Sequence, residues 1–170
     1  MTYRVGGVAF AEVELDVLTG EHDVLRVDMI NDVGLSLNPE LDIGQIEGAF
    51  IMGLGYWTSE HIIFDKKTGE ILTDRSWNYH VPLAKDIPID FRVQLRRNSY
   101  NPVGTLGGKA LSEPPIALSI SVAFALREAI VSSRKDSGYP SNEWFEVDGP
   151  FTLEANVLKC DANLKEFLFY

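Results

Sequence analysis

The sequence predicts an α+β fold in which strands and hairpins pack with two long helices. Three observations carry that expectation. Apolar and polar residues alternate over residues 8–17 and again over 24–33, the signature of half-buried strands. Ile46, Ala49, Phe50, Gly53, Leu54 and Trp57 fall at i, i+3, i+4, i+7, i+8 and i+11, one face of a helix. A second helical pattern, apolar on most sides, follows Pro114-Pro115.

In the first strand Val8, Phe10, Val13, Leu15 and Val17 form the apolar set. Glu12, Glu14 and Asp16 lie between them, with one slip near Ala11. Leu18-Thr19-Gly20-Glu21 has turn composition, and Val24, Val27 and Met29 mark the return strand of a hairpin. Asn38 suits an N-cap, and Pro39 suits the first helical position, where a missing N–H costs nothing. Gly48, Gly53 and Gly55 weaken that helix, so close backbone approach is expected there. A second hairpin is expected from residues 61–64 and 70–72 around 65–69, then a strand over 87–95 with Ile89, Phe91, Val93 and Leu95 in step. The loop 98–111 is rich in Gly and Asn and ends at Ser112-Glu113-Pro114-Pro115. There the second long helix begins, with Ser112 as its cap, and runs to around Ser133. A polar loop over 132–141, a short strand over 145–148 and a terminal helix over 152–160 complete the chain.

Composition removes several classes. With 170 residues, 45% hydrophobic and 24% charged, the chain is ordinary globular protein, not a disordered, collagen-like or disulfide-stapled one. A net charge of -10 argues against nucleic acid and anionic membranes as partners. The single cysteine, Cys160, excludes an internal disulfide or a multi-cysteine metal site supplied by this chain alone. No stretch approaches the roughly 20 apolar residues of a membrane helix, since Ser119, Ser121, Arg127 and Glu128 interrupt residues 116–130. Residues 1–5 run into strand-like sequence without a signal-peptide core, as though the chain starts in mid-fold. The expectation is a soluble, cytoplasmic chain.

Gly104-Thr105-Leu106-Gly107-Gly108-Lys109-Ala110 fails as a nucleotide P-loop, which needs Gly at Val103 and Ser or Thr at Ala110. It reads either as a general anion site of backbone N–H groups and one Lys, or as a plain tight loop. Glu113, between Ser112 and two prolines at the start of an apolar helix, is stiffly held and expected to be partly buried. It reads either as a general base or as a helix-end carboxylate. Gln45, beside Gly44 and Gly48, reads either as an amide reaching a closely approaching ligand or as a surface Gln. His22, His61 and His80 share no ligand spacing, so no metal site is expected from this chain.

Several stretches, taken together and in order, resemble the molybdenum hydroxylases, the xanthine dehydrogenase and aldehyde oxidase family. They are Val8-Ala9-Phe10-Ala11-Glu12-Val13-Glu14-Leu15-Asp16 with Leu18-Thr19-Gly20-Glu21-His22, Asp32-Val33-Gly34-Leu35-Ser36-Leu37-Asn38-Pro39, and Asp42-Ile43-Gly44-Gln45-Ile46-Glu47-Gly48-Ala49-Phe50. Farther on come Ile87-Pro88-Ile89-Asp90-Phe91-Arg92-Val93, Lys109-Ala110-Leu111-Ser112-Glu113-Pro114-Pro115 and Val147-Asp148-Gly149-Pro150-Phe151-Thr152. The resemblance covers nearly the whole chain. It implies that residues 1–170 are the carboxy-terminal, second molybdopterin-binding subdomain, a fragment of a larger enzyme.

The resemblance also implies roles. Glu113 matches the family's catalytic base, which takes a proton from the oxygen nucleophile that attacks an aldehyde or an N-heterocycle such as a purine. Gln45, with Gly44 beside it, matches an amide that hydrogen-bonds molybdopterin, and Gly107, Gly108 and Lys109 match the wall beside the cofactor. The implied cofactor is molybdenum–molybdopterin, held by its pterin dithiolene rather than by protein ligands. The 2Fe-2S clusters and FAD of the family's full-length enzymes belong to domains absent here. Implied partners are the first molybdopterin-binding lobe of the same enzyme, a small aldehyde or heterocycle substrate and, for the full enzyme, a second copy in a homodimer. Two residues depart from the family pattern: Ser112 stands where Gly is usual, and Gly108 where Ser is common. The alternative is a catalytically inactive truncated remnant acting at most as a protein-binding module.

Overall fold

The computed structural model describes residues 2–140, 142–163 and 167. Its sheet holds three strands, β1 (Gly7–Leu15), β2 (His22–Asn31) and β3 (Asp90–Leu95), in the order β1-β2-β3. β1 and β2 form the expected antiparallel hairpin. Asp16 Oδ1 accepts from Leu18 N at 2.8 Å in the connecting turn, and Gly20 takes φ +76. A Cβ on Gly20 would sit 2.1 Å from Leu153 O, so only glycine fits. β3 runs parallel to β2, which demands a crossover rather than a turn. Helix α1 (Pro39–Thr58) lies in that crossover and packs its buried face on the sheet.

The first half of β1 has the opposite pleat phase from the expected one, while Val13 and Leu15 face inward as expected. Ala9, Ala11, Val13 and Leu15 face the core, whereas Val8 and Phe10 face outward with Glu12 and Glu14, and Phe10 is 70% exposed. The alternation of β1 is therefore unbroken. The slip lies on β2, where Glu12 pairs with Arg26 and Val13 with Val24, leaving Leu25 as the extra residue. Small residues face inward because helices lie close over β1: a Cβ on Gly7 would already come within 2.8 Å of Leu118 Cδ1.

α1 begins as expected, with Asn38 Oδ1 accepting from Leu41 N at 3.3 Å and Pro39 in the first turn. Its buried face carries Ile46, Ala49, Phe50, Gly53 and Leu54. The second helix is two, α2 (Glu113–Leu118) and α3 (Ile120–Asp136), meeting at buried Ser119, whose Oγ donates to Ile116 O at 2.6 Å. Ser112 makes no side-chain cap, contrary to expectation. α3 runs to Asp136, so the polar loop begins later than residue 132, and Ser141 lies outside the described residues. The run Glu113–Asp136 is long and apolar enough to cross a membrane by length and composition, which the sequence reading denied. Here it packs on β1, and Val122, Leu126 and Ile130 are fully buried. Each such side chain contributes about 1.5–3 kcal/mol.

Three smaller expectations change. Residues 145–148 form no ladder, and Phe145 instead receives the Arg134 guanidinium 4.6 Å from its ring centre. Residues 61–64 and 70–72 pair through one bridge, Phe64 with Ile71. β3 starts at Asp90 rather than at residue 87. The terminal helix forms as α4 (Leu153–Cys160), capped by Thr152 Oγ1 accepting from Ala155 N at 3.3 Å.

Candidate functional site

β2 runs out into two buried polar residues, Asn31 and Asp32. A buried carboxylate is costly unless donors surround it. Asp32 is 5% exposed, and four donors reach it. Lys109 Nζ donates to Oδ2 at 2.7 Å and Arg96 Nη1 at 2.8 Å, while Oδ1 accepts from Gly34 N at 3.1 Å and from Ser99 Oγ. Burial pushes the Asp32 carboxyl up, but Lys109, Ser99, Gly34 and Arg96 outweigh it and hold the group well below the usual carboxylate range.

The glycine-rich loop is laced onto the same junction. Lys109 N donates to Val33 O at 2.9 Å and Leu35 N to Gly107 O at 2.8 Å, with Gly34 bridged to Gly108. Gly34 has φ +69, and a Cβ there would lie 2.4 Å from Gly107 O. Buried Asn101 donates from Nδ2 to Gly108 O at 2.8 Å. The loop's own donors are engaged as well: Gly107 N with Gly104 O, Gly108 N with Thr105 O, and Ala110 N with Tyr3 Oη. The open anion cradle is thereby corrected, since the N–H groups of Gly104, Gly107, Gly108, Lys109 and Ala110 and the Lys109 ammonium are committed inside the fold.

Glu113 opens α2 directly beyond this loop. It is exposed, not partly buried as expected, and among the described residues its carboxylate has no hydrogen bond or ion pair. The two departures introduce no strain. Ser112 has φ -95 and ψ -32, angles open to any residue, and a Cβ on Gly108 would meet nothing closer than 3.4 Å.

On α1, Leu41, Gly44, Gln45, Gly48, Met52 and Tyr56 form an exposed stripe at helical spacing. A Cβ on Gly53 would collide with Ser119 Oγ at 2.3 Å and Ile116 O at 2.6 Å, and one on Gly55 with Pro82 at 2.7 Å. Those two glycines serve close approach as expected. Gly48 does not: a Cβ on Gly44 or Gly48 meets no atom within 4 Å. These two leave an open bed beside the Gln45 amide, which makes no hydrogen bond among the described residues. Residues 31–35 lead into α1 through Ser36, whose Oγ donates to Asp42 Oδ2 at 2.5 Å. One junction thus carries both the bed on α1 and the loop before Glu113.

Sequence reasoning missed Asp32, Arg96, Ser99 and Asn101. A charged residue directly after the buried end of a strand was the available signal for Asp32. None of Gln45, Gly107 or Glu113 lines the 720 Å³ cavity between Ile62, Ile71, Arg75, Tyr79, His80 and Leu83. Gln45 and Glu113 stand on open surface. Among the described residues no three His, Cys, Asp or Glu gather as a metal-ligand set.

A family model described as a molybdopterin cofactor-binding domain matches residues 1–88. The chain is 46% identical over 148 residues to a xanthine dehydrogenase/oxidase of Gallus gallus, a match covering 87% of this chain and 11% of the relative. It is 42% identical over 167 residues to a probable aldehyde oxidase of Oryza sativa subsp. japonica, covering 97% of this chain and 12% of that one. The crystal structure of quinoline 2-oxidoreductase from Pseudomonas putida 86 shares the fold with a TM-score of 0.74 at 24% identity, over 88% of this chain and 18% of that one. This chain therefore spans roughly a tenth of the length of the curated relatives it matches.

Proposed function

This chain belongs to the molybdopterin cofactor-binding domain family of the xanthine dehydrogenases and aldehyde oxidases, and on that premise we propose that it forms one wall of a molybdenum–molybdopterin site in a larger hydroxylase, with Glu113 as general base. The observation that carries the reading is the shared junction at residues 31–35. From it hang an open glycine bed with an amide and a loop ending in a carboxylate, neither of them paired among the described residues.

The residues present fit the cofactor. Gly44 and Gly48 leave space that a Cβ would fill, and Gln45 offers both a donor and an acceptor to a pterin edge laid there. Gly107 and Gly108 would form the adjoining wall by their backbone. Lys109 supports that wall from behind, its charge being committed to Asp32. When bound, the group supplies a two-electron redox couple and an activated, water-derived oxygen. Glu113 would serve as the proton acceptor when an electron-poor carbon of an aldehyde or N-heterocycle is hydroxylated there. The exposed setting of Glu113 suits a site closed by another lobe of the same polypeptide, which would exclude water competing for that proton. Iron–sulfur and flavin centres elsewhere in that polypeptide would carry the electrons away, in a cytoplasmic homodimer.

The test is Glu113→Gln in the complete enzyme. Molybdenum and pterin content should stay at the native level while kcat falls by about 10²–10⁴-fold, the usual contribution of a positioned base. Near-native turnover in that variant would overturn Glu113 as the base.

A further inference from the structure

Glu113 has no tether of its own among the described residues, so the backbone before it sets where its carboxylate points. That backbone is fixed at residues 107–111, and Lys109 precedes Glu113 by four positions. Of the side chains in this strip, Lys109 reaches across to the residue just beyond β2, Asp32, which holds it with only 11% of its side chain exposed. The same Asp32 carboxylate accepts from Gly34 N, and Leu35 N donates to Gly107 O. Asp32 therefore grips the strip before Glu113 and the lead into the Gln45 helix at once.

We propose that Asp32 is a positioning residue for Glu113: by clamping Lys109 Nζ it fixes residues 107–111 against the Val33–Gly34–Leu35 turn, and so sets Glu113 relative to the Gln45 bed. A buried ion pair contributes little net stability over apolar packing of the same volume, yet it enforces one geometry. One geometry is what a base needs, since a displacement of about 1 Å can cost about 10²-fold in rate. Arg96 and Ser99, which also donate to Asp32, hold the carboxylate itself in place. This inference rests on Glu113 being the base.

The experiment uses the complete enzyme with Asp32→Asn, and Asp28→Asn as control. Asp28 pairs with Arg26 on the outer face of the sheet, away from the loop. For Asp32→Asn, kcat should fall at least about tenfold with KM changed less than about threefold, cofactor content remaining native. Amide hydrogen exchange at residues 107–111 should quicken at least about tenfold while α3 keeps its protection. Should Asp32→Asn fail to fold, Lys109→Gln leaves Asp32 its other three donors and should quicken the same amides. Unchanged exchange and kcat would overturn the proposal. So would faster exchange throughout with loss of cofactor, because that outcome means general support of the fold. A native-like Glu113→Gln defeats the base itself, whereas an inactive Glu113→Gln beside a native-like Asp32→Asn defeats only the positioning role.

Discussion

Two glycines on one helix separate what this chain does for itself from what it leaves open. Gly53 is required internally, because its missing Cβ is where Ser119 and the Ile116 carbonyl press on α1. Gly53→Ala should cost about 1–3 kcal/mol, the range for overpacking a tight contact, read as a lower denaturation midpoint. Gly48 touches nothing, so Gly48→Ala should raise the stability of the fold by about 0.5–1 kcal/mol through helix propensity. In the complete enzyme the same change should lower molybdopterin content, because the added methyl occupies the proposed bed. A stabilised variant that still loads fully would remove Gly48 from the site. The sequence alone showed that these glycines were costly in a helix. It could not say which ones faced inward, since that depends on where a second helix crosses.

At the scale of elements, local chemistry was legible and pairing was not. Asn38-Pro39 and Thr152 mark helix starts through bonds to neighbours within three residues, so composition identifies them. The face of the first half of β1 was misread because Val8 and Phe10 outweigh Ala9 and Ala11 in hydrophobicity, while the helix over the start of β1 comes too close for large side chains. Likewise Glu113 was legible as the residue after a Gly-rich loop, but the Asp32–Lys109 clamp joins positions 77 apart, which no local pattern reports. That clamp makes the loop acid-sensitive. The Asp32 pKa is depressed on folding from an ordinary 3.8, so its stabilisation is fully present above that value and is lost as pH falls below it. Acidification from pH 5 to about 3 should loosen residues 107–111, seen as lower local protection factors once exchange is normalised to the intrinsic amide rate at each pH, and Asp32→Asn should flatten that acid limb. An acid limb unchanged in the variant would assign the sensitivity to other carboxylates.

For the whole molecule, the core closes only inward. Phe50, Leu54, Met29, Leu126 and Ile130 are sealed between sheet and helices, yet Phe10, Met52, Trp77, Leu106 and Phe124 are each at least 60% exposed. These side chains lie on several faces, including the outer sheet, the α1 stripe and the glycine-rich loop, as expected of a lobe covered by more of its own polypeptide. A net charge of -10 opposes association of bare copies, so the balance between apolar attraction and charge repulsion is set by salt. The purified 170-residue chain should therefore be inactive toward aldehydes and purines, because Glu113 faces open solvent and the proposed site would need an opposite wall from another lobe. It should also self-associate more strongly as salt rises, the reverse of an assembly held by ion pairs. Sedimentation velocity across a salt series, with turnover assayed on the same samples, reads both. Association that weakens with salt would point to charged rather than apolar contacts, and measurable hydroxylation by the chain alone would mean that its pocket needs no second lobe.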